Sequence, residues 1–519
     1  MSNRVVDMGD LADLIDINET APSLCHQLSH SSSKGSLQII TIAASSKGSD
    51  AFVGGSMSRR SFRSEVVGDL IVFTPVILEE WLPITGSRNG TVLTSIFHLL
   101  CSGIGFQTLL LPLAFAMLGW VWGTIALSLV FIWQIYTTWI LVNLHEPVPG
   151  TRYSRYVRLS IVAFGPKLGK LLAIFPVMYL SSGSCVMLVI TGGLTMEQLY
   201  KIMCGGEGHA CDQAKSLSGP EWFLVFTCIA IVIVQLPKLN SIARVSMIGA
   251  ITAIAYCTLI WVLPIKDGRK LTGVSHETVL TSIETGMAGF SRILTAIGII
   301  VFACRGHNLI LEIQGTLPSS EKHPSKKKML RAVFLSYLLI ASCFFPLAIV
   351  GYWAYGNKIP TIGGIIIPYL DFYGHNYSKL VKCLIHILVI ISCLSSFPIY
   401  AMPAFDNIEL IYSIKKKKAC PWWLRTGFRI IYGGIAFFIA VALPFLPFLG
   451  GLIGGLALPL TFVYPCFMWV KMKKPKRTSG MWWGNIMLGS LGIVGSVMVV
   501  VTSAWNLADK GLHANFFKP

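Results

Sequence analysis

Leu100-Cys101-Ser102-Gly103-Ile104-Gly105-Phe106-Gln107 and Val301-Phe302-Ala303-Cys304-Arg305-Gly306-His307-Asn308 are two glycine interruptions, far apart in the chain, in stretches that are otherwise apolar. Each falls where a membrane-spanning helix would cross the middle of the bilayer. Glycine lowers the cost of leaving helical geometry, and irregular backbone at that depth survives only where protein or a water-filled cavity satisfies its polar groups. The paired break therefore predicts a cavity. Interrupted segments at matching places in two halves point to the binding site of a secondary transporter, because half-helix ends present free N–H and C=O groups to a ligand. Glycine also packs helices closely in membranes, but the second break carries Arg305, His307 and Asn308 as well, and polar residues at this depth mark function.

The surrounding composition agrees. Of 519 residues 54% are hydrophobic and 13% charged, against about 25% charged in a soluble domain. Runs such as Trp120 to Leu141 and Gly484 to Ala504 are almost free of charge and reach the ~20 residues that a span needs. Spans are expected at 92–118, 121–143, 168–194, 219–236, 245–264, 285–316, 331–353, 378–402, 427–447, 449–471 and 482–506, which makes about eleven. The net charge of +18 is distributed over alternate loops rather than gathered in a groove, which excludes a nucleic-acid partner. Basic clusters at Arg152 to Lys170, Lys322 to Arg331, Lys415 to Arg425 and Lys471 to Arg477 place those loops and the N-terminus in the cytoplasm. The odd span count then puts the C-terminus outside.

Three regions follow. Residues 1–90 are Ser-rich, with early acidic residues and a basic patch at Arg59, Arg60 and Arg63; they read as a mostly disordered cytoplasmic tail. Residues 91–506 form the transmembrane part, and 507–519 a short tail outside. The first span is expected to act as an uncleaved signal anchor. Cys204 and Cys211 share a loop that the topology places outside, where a disulfide between them persists if it forms. Asn376-Tyr377-Ser378 is a glycosylation sequon in another outer loop.

Several patterns resemble chemistry without supplying it. His145-Glu146 and His276-Glu277 lack the second histidine four positions on, so no zinc site is expected. Gly450-Gly451 with Gly454-Gly455, and Gly489, Gly492 and Gly495, read as close helix-packing faces. No phosphate-binding loop, nucleophile elbow or dinucleotide fingerprint is present, which argues against an enzyme. His98 and His386 read as packed histidines. On the sixth segment His307 and Glu312 are candidate proton carriers, since histidine titrates nearest neutrality. Ser395 and Ser396, two spans beyond the second break, are candidates to complete the site.

Further residues resemble the amino acid/auxin permease family and, within it, the plant lysine/histidine transporter-like group. They include Trp81-Leu82-Pro83-Ile84-Thr85, Leu118-Gly119-Trp120, His145-Glu146-Pro147-Val148-Pro149-Gly150, Ala163-Phe164-Gly165-Pro166-Lys167-Leu168-Gly169, Gly306-His307-Asn308-Leu309-Ile310-Leu311-Glu312-Ile313-Gln314, Tyr355-Gly356-Asn357 and Ile399-Tyr400-Ala401-Met402-Pro403. The resemblance implies an all-α membrane fold of two inverted five-helix repeats plus an eleventh helix. It also implies proton-coupled uptake of amino acids at the plasma membrane, with the proton gradient as energy source and no cofactor. The chain departs from the family's pattern at Phe106-Gln107 and Cys304-Arg305.

The expected substrate site comprises Ser102, Gly103, Ile104, Gly105, Phe106 and Gln107 from the first break, Phe302, Ala303, Cys304 and Arg305 from the second, and Ser395 and Ser396. Ser102 to Gly105 are expected to hold the substrate carboxylate at a half-helix N-terminus, and carbonyls of Phe302 to Cys304 its ammonium. Arg305 needs an anionic partner or water, with a substrate carboxylate and Glu312 both open, and its charge disfavours cationic substrates. An auxin-like or other organic-anion permease, or an amino acid sensor signalling through the N-terminal tail, are the alternatives.

Overall fold

The computed structural model describes residues 88–147, 151–204, 217–235, 243–267, 274–276, 287–320, 323–359, 378–443 and 446–511, except the side chains of 267, 287, 288, 307, 308, 446–449 and 506–511. All lie within the compact unit Pro75–Pro519. The tail expected at 1–90 falls outside them up to residue 87, as do Cys211, Asn376 and residues 512–519.

The helices are α1 (Val92–Gly103), α2 (Leu111–Leu144), α3 (Tyr156–Phe164), α4 (Pro166–Cys204), α5 (Gly219–Val234), α6 (Ala243–Asp267), α7 (Met287–Ala303), α8 (His307–Thr316), α9 (Ser325–Tyr355), α10 (Lys379–Lys416), α11 (Trp422–Ala442), α12 (Leu446–Leu458), α13 (Tyr464–Lys473) and α14 (Gly480–Gly511). No strand occurs among the described residues. A 3₁₀ turn, Phe106–Leu110, links α1 to α2, and a π turn, Pro459–Val463, links α12 to α13.

Local chemistry sets the boundaries. Thr91 caps α1 reciprocally: its hydroxyl accepts from the Thr94 N–H at 3.2 Å, and the Thr94 hydroxyl accepts from the Thr91 N–H at 2.8 Å. The last turn of α1 closes where Ile104 donates its N–H to the Leu100 carbonyl at 2.7 Å. Ile104 (φ −99°) and Gly105 (φ −151°) are then extended, which takes the chain off the helix axis. At the second break Gly306 stands at φ 119° directly before α8, a conformation open to glycine and strained for other residues. Gly119 (φ 80°, ψ 178°) turns the chain within α2, at the boundary expected between the first two spans.

Among the described residues eight helices are long and apolar enough to cross a membrane, against the eleven expected. The difference has a local cause in each case. Val92–Leu144 runs as one unit through the bend at Gly119, while Gly219–Val234 and Gly289–Ala303 are apolar but shorter than a full span, the latter because the chain breaks after Ala303.

The core lies where α10 packs along α4 and α6, with α1 against α6 and α9, and α7 against α12. Small residues set these approaches. A Cβ on Gly454 would stand 2.2 Å from the Gly298 carbonyl oxygen, and one on Gly455 2.9 Å from Val499, so the Gly450–Gly455 stretch is a contact face toward α7 and α14. Outward, α2 presents Val121, Trp122, Ile125, Leu129 and Ile132, and α14 presents Met487, Leu491, Val494, Val497 and Val501, all exposed. Exposed apolar stripes at helical spacing are what lipid contact requires.

Candidate substrate site

The two breaks meet at Arg305, one of the largest fully buried side chains of the protein. Its Nε donates to the Tyr400 hydroxyl at 3.1 Å, its Nη1 to Ser184 Oγ at 2.8 Å and its Nη2 to Gln107 Oε1 at 3.0 Å. The guanidinium carbon also lies 4.3 Å from the Tyr400 ring centroid, 4.5 Å from Phe302 and 4.8 Å from Phe106. Cation–π contacts strengthen when desolvated, so three rings and three oxygens together replace the water that Arg305 loses. Among the described residues no carboxylate pairs with it.

The C-terminal end of α1 is sealed by side chains. Ser396 Oγ donates to the Cys101 carbonyl at 3.1 Å, the Tyr400 hydroxyl donates to the Ser102 carbonyl, and Gln107 Nε2 donates to the Gly103 carbonyl at 2.9 Å. This corrects one expectation. Ser102 and Gly103 belong to the acceptor end of a half-helix, not to its N-terminus, and their carbonyls are occupied; N–H donors begin only beyond them, where the 3₁₀ turn starts. Ser102 Oγ in turn donates to the Leu99 carbonyl at 3.2 Å.

Of the expected site residues, Ser102 to Gln107, Phe302 to Arg305, Ser395 and Ser396 are all buried, the two breaks and α10 contributing them to one region. Ser395 faces α6, where a Cβ on Gly249 would stand 2.6 Å from it. The His307 side chain lies outside the described residues. Sequence reasoning missed Ser184 and Tyr400, the two Arg305 partners carried by helices remote from either break.

Glu312 does not partner Arg305. Buried on α8 with one carboxylate oxygen lacking a hydrogen-bond partner, it lies within electrostatic reach of Asp406 and Arg155. Arg155 Nε and Asp406 Oδ2 form a buried ion pair at 2.5 Å, joining the start of α3 to the end of α10. Tyr156 adds a hydroxyl donated to the Leu460 carbonyl of the π turn at 2.8 Å, and Arg152 Nη2 donates to the Leu317 carbonyl, just past α8, at 2.8 Å. In the same layer His145 is buried with both ring nitrogens unpartnered, and burial beside Arg152 and Arg88 holds its imidazole well below the usual range. His98 and His386 are packed, bonded to Ser246 Oγ at 2.8 Å and to the Lys382 carbonyl at 2.7 Å.

A family model described as transmembrane amino acid transporter protein matches residues 88–508. The chain belongs to that family. It is 55% identical to lysine histidine transporter-like 7 of Arabidopsis thaliana over 85% of this chain and 90% of that one, and 49% identical to lysine histidine transporter-like 8 of the same plant over 88% and 86%. Among solved structures it is similar to MhsT in complex with L-phenylalanine, at a TM-score of 0.52 and 13% identity over 79% of this chain and 98% of that one, a likeness of fold. The protein is thus a multi-pass membrane transporter of the amino acid permease class and not an enzyme. Its all-helical architecture is that of the leucine-transporter-like fold.

Proposed function

We propose that the chain is a proton-coupled symporter that brings neutral or acidic amino acids across the plasma membrane, with its N-terminus in the cytoplasm, its C-terminus outside and about eleven spans between them. The observation that supports this reading is the convergence of both helix breaks on a buried Arg305 with no carboxylate partner among the described residues. A substrate carboxylate supplies the missing anion, and a guanidinium accepts it through parallel hydrogen bonds. Lysine or arginine as substrate would bring a second cation into the same desolvated space. The names of two similar plant relatives, lysine histidine transporter-like 7 and 8, refer to lysine and histidine, and Arg305 argues against the first of these here.

Proton entry needs a titratable group coupled to the gate. Glu312 meets that need, being buried and incompletely hydrogen-bonded next to the Arg155–Asp406 pair, with His307 beside the break as the second candidate. The gradient is then the only energy source required, and neither sodium nor a cofactor takes part. Labelled amino acid uptake in a transport-deficient host, repeated with a proton uncoupler, tests the proposal. Accumulation that the uncoupler abolishes and sodium removal spares supports it. Uptake insensitive to the uncoupler, or no uptake from verified surface protein, overturns it.

A further inference from the structure

An amino acid site normally has to satisfy two charges, and the side-chain acceptors around Arg305 that an α-ammonium would use are already committed here. The Tyr400 oxygen accepts from Arg305 while its proton goes to the Ser102 carbonyl; the Gln107 amide oxygen accepts from Arg305 while its NH₂ goes to the Gly103 carbonyl. Ser184 Oγ accepts from Arg305 and donates to the Leu180 carbonyl at 2.6 Å, and the Ser396 proton goes to the Cys101 carbonyl. At the other half-helix end, that of α7, the guanidinium carbon lies 4.5 Å from the Phe302 ring centroid. An incoming ammonium would therefore meet a like charge in low dielectric and few open side-chain acceptors.

The donor side is the reverse. A guanidinium has five N–H groups, and three are used, one on each nitrogen. One N–H remains on Nη1 and one on Nη2, and a carboxylate bonds two guanidinium nitrogens in fork fashion. We infer that Arg305 is a resident cation occupying the amino subsite, so that the protein recognises its substrate through the carboxylate and accepts monocarboxylates that lack the α-amino group. This rests on the transport reading above and deepens it: the substrate class becomes carboxylates, with or without an α-ammonium.

The test uses matched trios on the full-length protein, by binding in lipid nanodiscs and by competition, in proteoliposomes with an imposed proton gradient, against uptake of the best-transported labelled amino acid: alanine, propionate and ethylamine; phenylalanine, phenylpropionate and phenylethylamine. The expected result is that each deaminated acid binds within about tenfold of its amino acid while the amines do not compete, since losing one hydrogen bond to a charged group is worth about that factor. Arg305→Met should remove carboxylate binding. If that variant fails to reach the membrane, Arg305→Lys, which keeps the charge but loses the fork, should weaken both acids of a trio in parallel by about tenfold or more. Amino acids binding more than about tenfold tighter than their deaminated partners overturn this inference and leave the amino acid transporter reading standing. If no acid of either trio binds or competes while a labelled amino acid is still taken up, the inference falls and the transporter reading stands; if no amino acid is taken up either, both fall.

Discussion

Gly105→Ala separates damage to the site from damage to the fold. Gly105 is extended, at φ −151°, so any residue tolerates its backbone, and an added Cβ would stand 2.7 Å from Gln107 Oε1, with its three nearest atoms all in that side chain. The Gln107 amide can swing away at little conformational cost. Doing so, however, releases its bonds to Arg305 Nη2 at 3.0 Å and to the Gly103 carbonyl at 2.9 Å. A hydrogen bond to a charged group is worth about 1.5–3 kcal/mol, or about 10–150-fold in affinity. Gly105→Ala is therefore expected to reach the surface with a melting temperature in detergent lowered by no more than the loss of those two bonds, about 1–3 kcal/mol, and to raise the apparent KM for its amino acid substrate by about tenfold or more. Gly105→Leu, whose longer side chain cannot share that space, should abolish uptake. Concentration-dependent uptake normalised to surface-labelled protein gives the answer. Wild-type KM in Gly105→Ala together with wild-type uptake in Gly105→Leu would remove the first break, and the Gln107–Arg305 bond with it, from substrate recognition.

Other substitutions address neighbouring parts of the argument. Arg305→Ala should raise lysine uptake relative to glutamate, measured side by side with a neutral amino acid; an equal change in all three would assign Arg305 to gating instead. Asp406→Ala takes the Asp406 carboxylate from the buried Arg155, and should cost up to about 3–5 kcal/mol in a thermal or denaturant melt. The Arg155→Met, Asp406→Leu double variant should recover most of that loss, and failure to recover would show that the pair's oxygen and nitrogen atoms hold α3 to α10 beyond their charges. Gly169→Ala contrasts with Gly105→Ala, because its Cβ would stand 2.4 Å from the Ser160 carbonyl and 2.6 Å from the Ile161 Cα. Backbone cannot swing aside, so a destabilisation of about 1–3 kcal/mol or more is expected, visible as reduced surface level and a lower melting temperature.

The breaks were legible because glycine is a backbone signal: Gly103, Gly105 and Gly306 announce local departures from the helix that no neighbour in space is needed to explain, and the chain leaves helical geometry at 104–105 and 304–306. Packing glycines were legible for a related reason, since a small residue repeated on one face states how near a neighbour comes without stating which neighbour. Partnership is different. Arg305 demanded satisfaction, but its sequence neighbour Glu312 is carried away along α8, whereas Tyr400 and Ser184 arrive from α10 and α4, helices whose apolar periodicity says nothing of what they face. Ser184 stands near Ser181 and Ser182, a run that is as easily spent on bonds within its own helix, as Ser184 partly is.

The polarity of each break was equally hidden. A glycine pair marks where a helix stops without saying whether the exposed end offers donors or acceptors to the cavity, and that sign decides which end of a zwitterion it can hold. Here the acceptor end of α1 is closed by Ser396, Tyr400 and Gln107, and two of these, Tyr400 and Gln107, also accept from Arg305, which the chain carries just past α7. A cation built into the chain cannot leave with the substrate. On the proposed reading, whatever neutralises Arg305 would arrive and depart as an anion, and each departure would leave a buried, hydrogen-bonded but uncompensated charge behind. Such a charge costs free energy in proportion to its desolvation, so the state without substrate would be pressed toward opening to water. A residue that recognises a carboxylate would thereby penalise an empty closed site, which is the condition a symporter must meet to avoid carrying its driving ion without cargo.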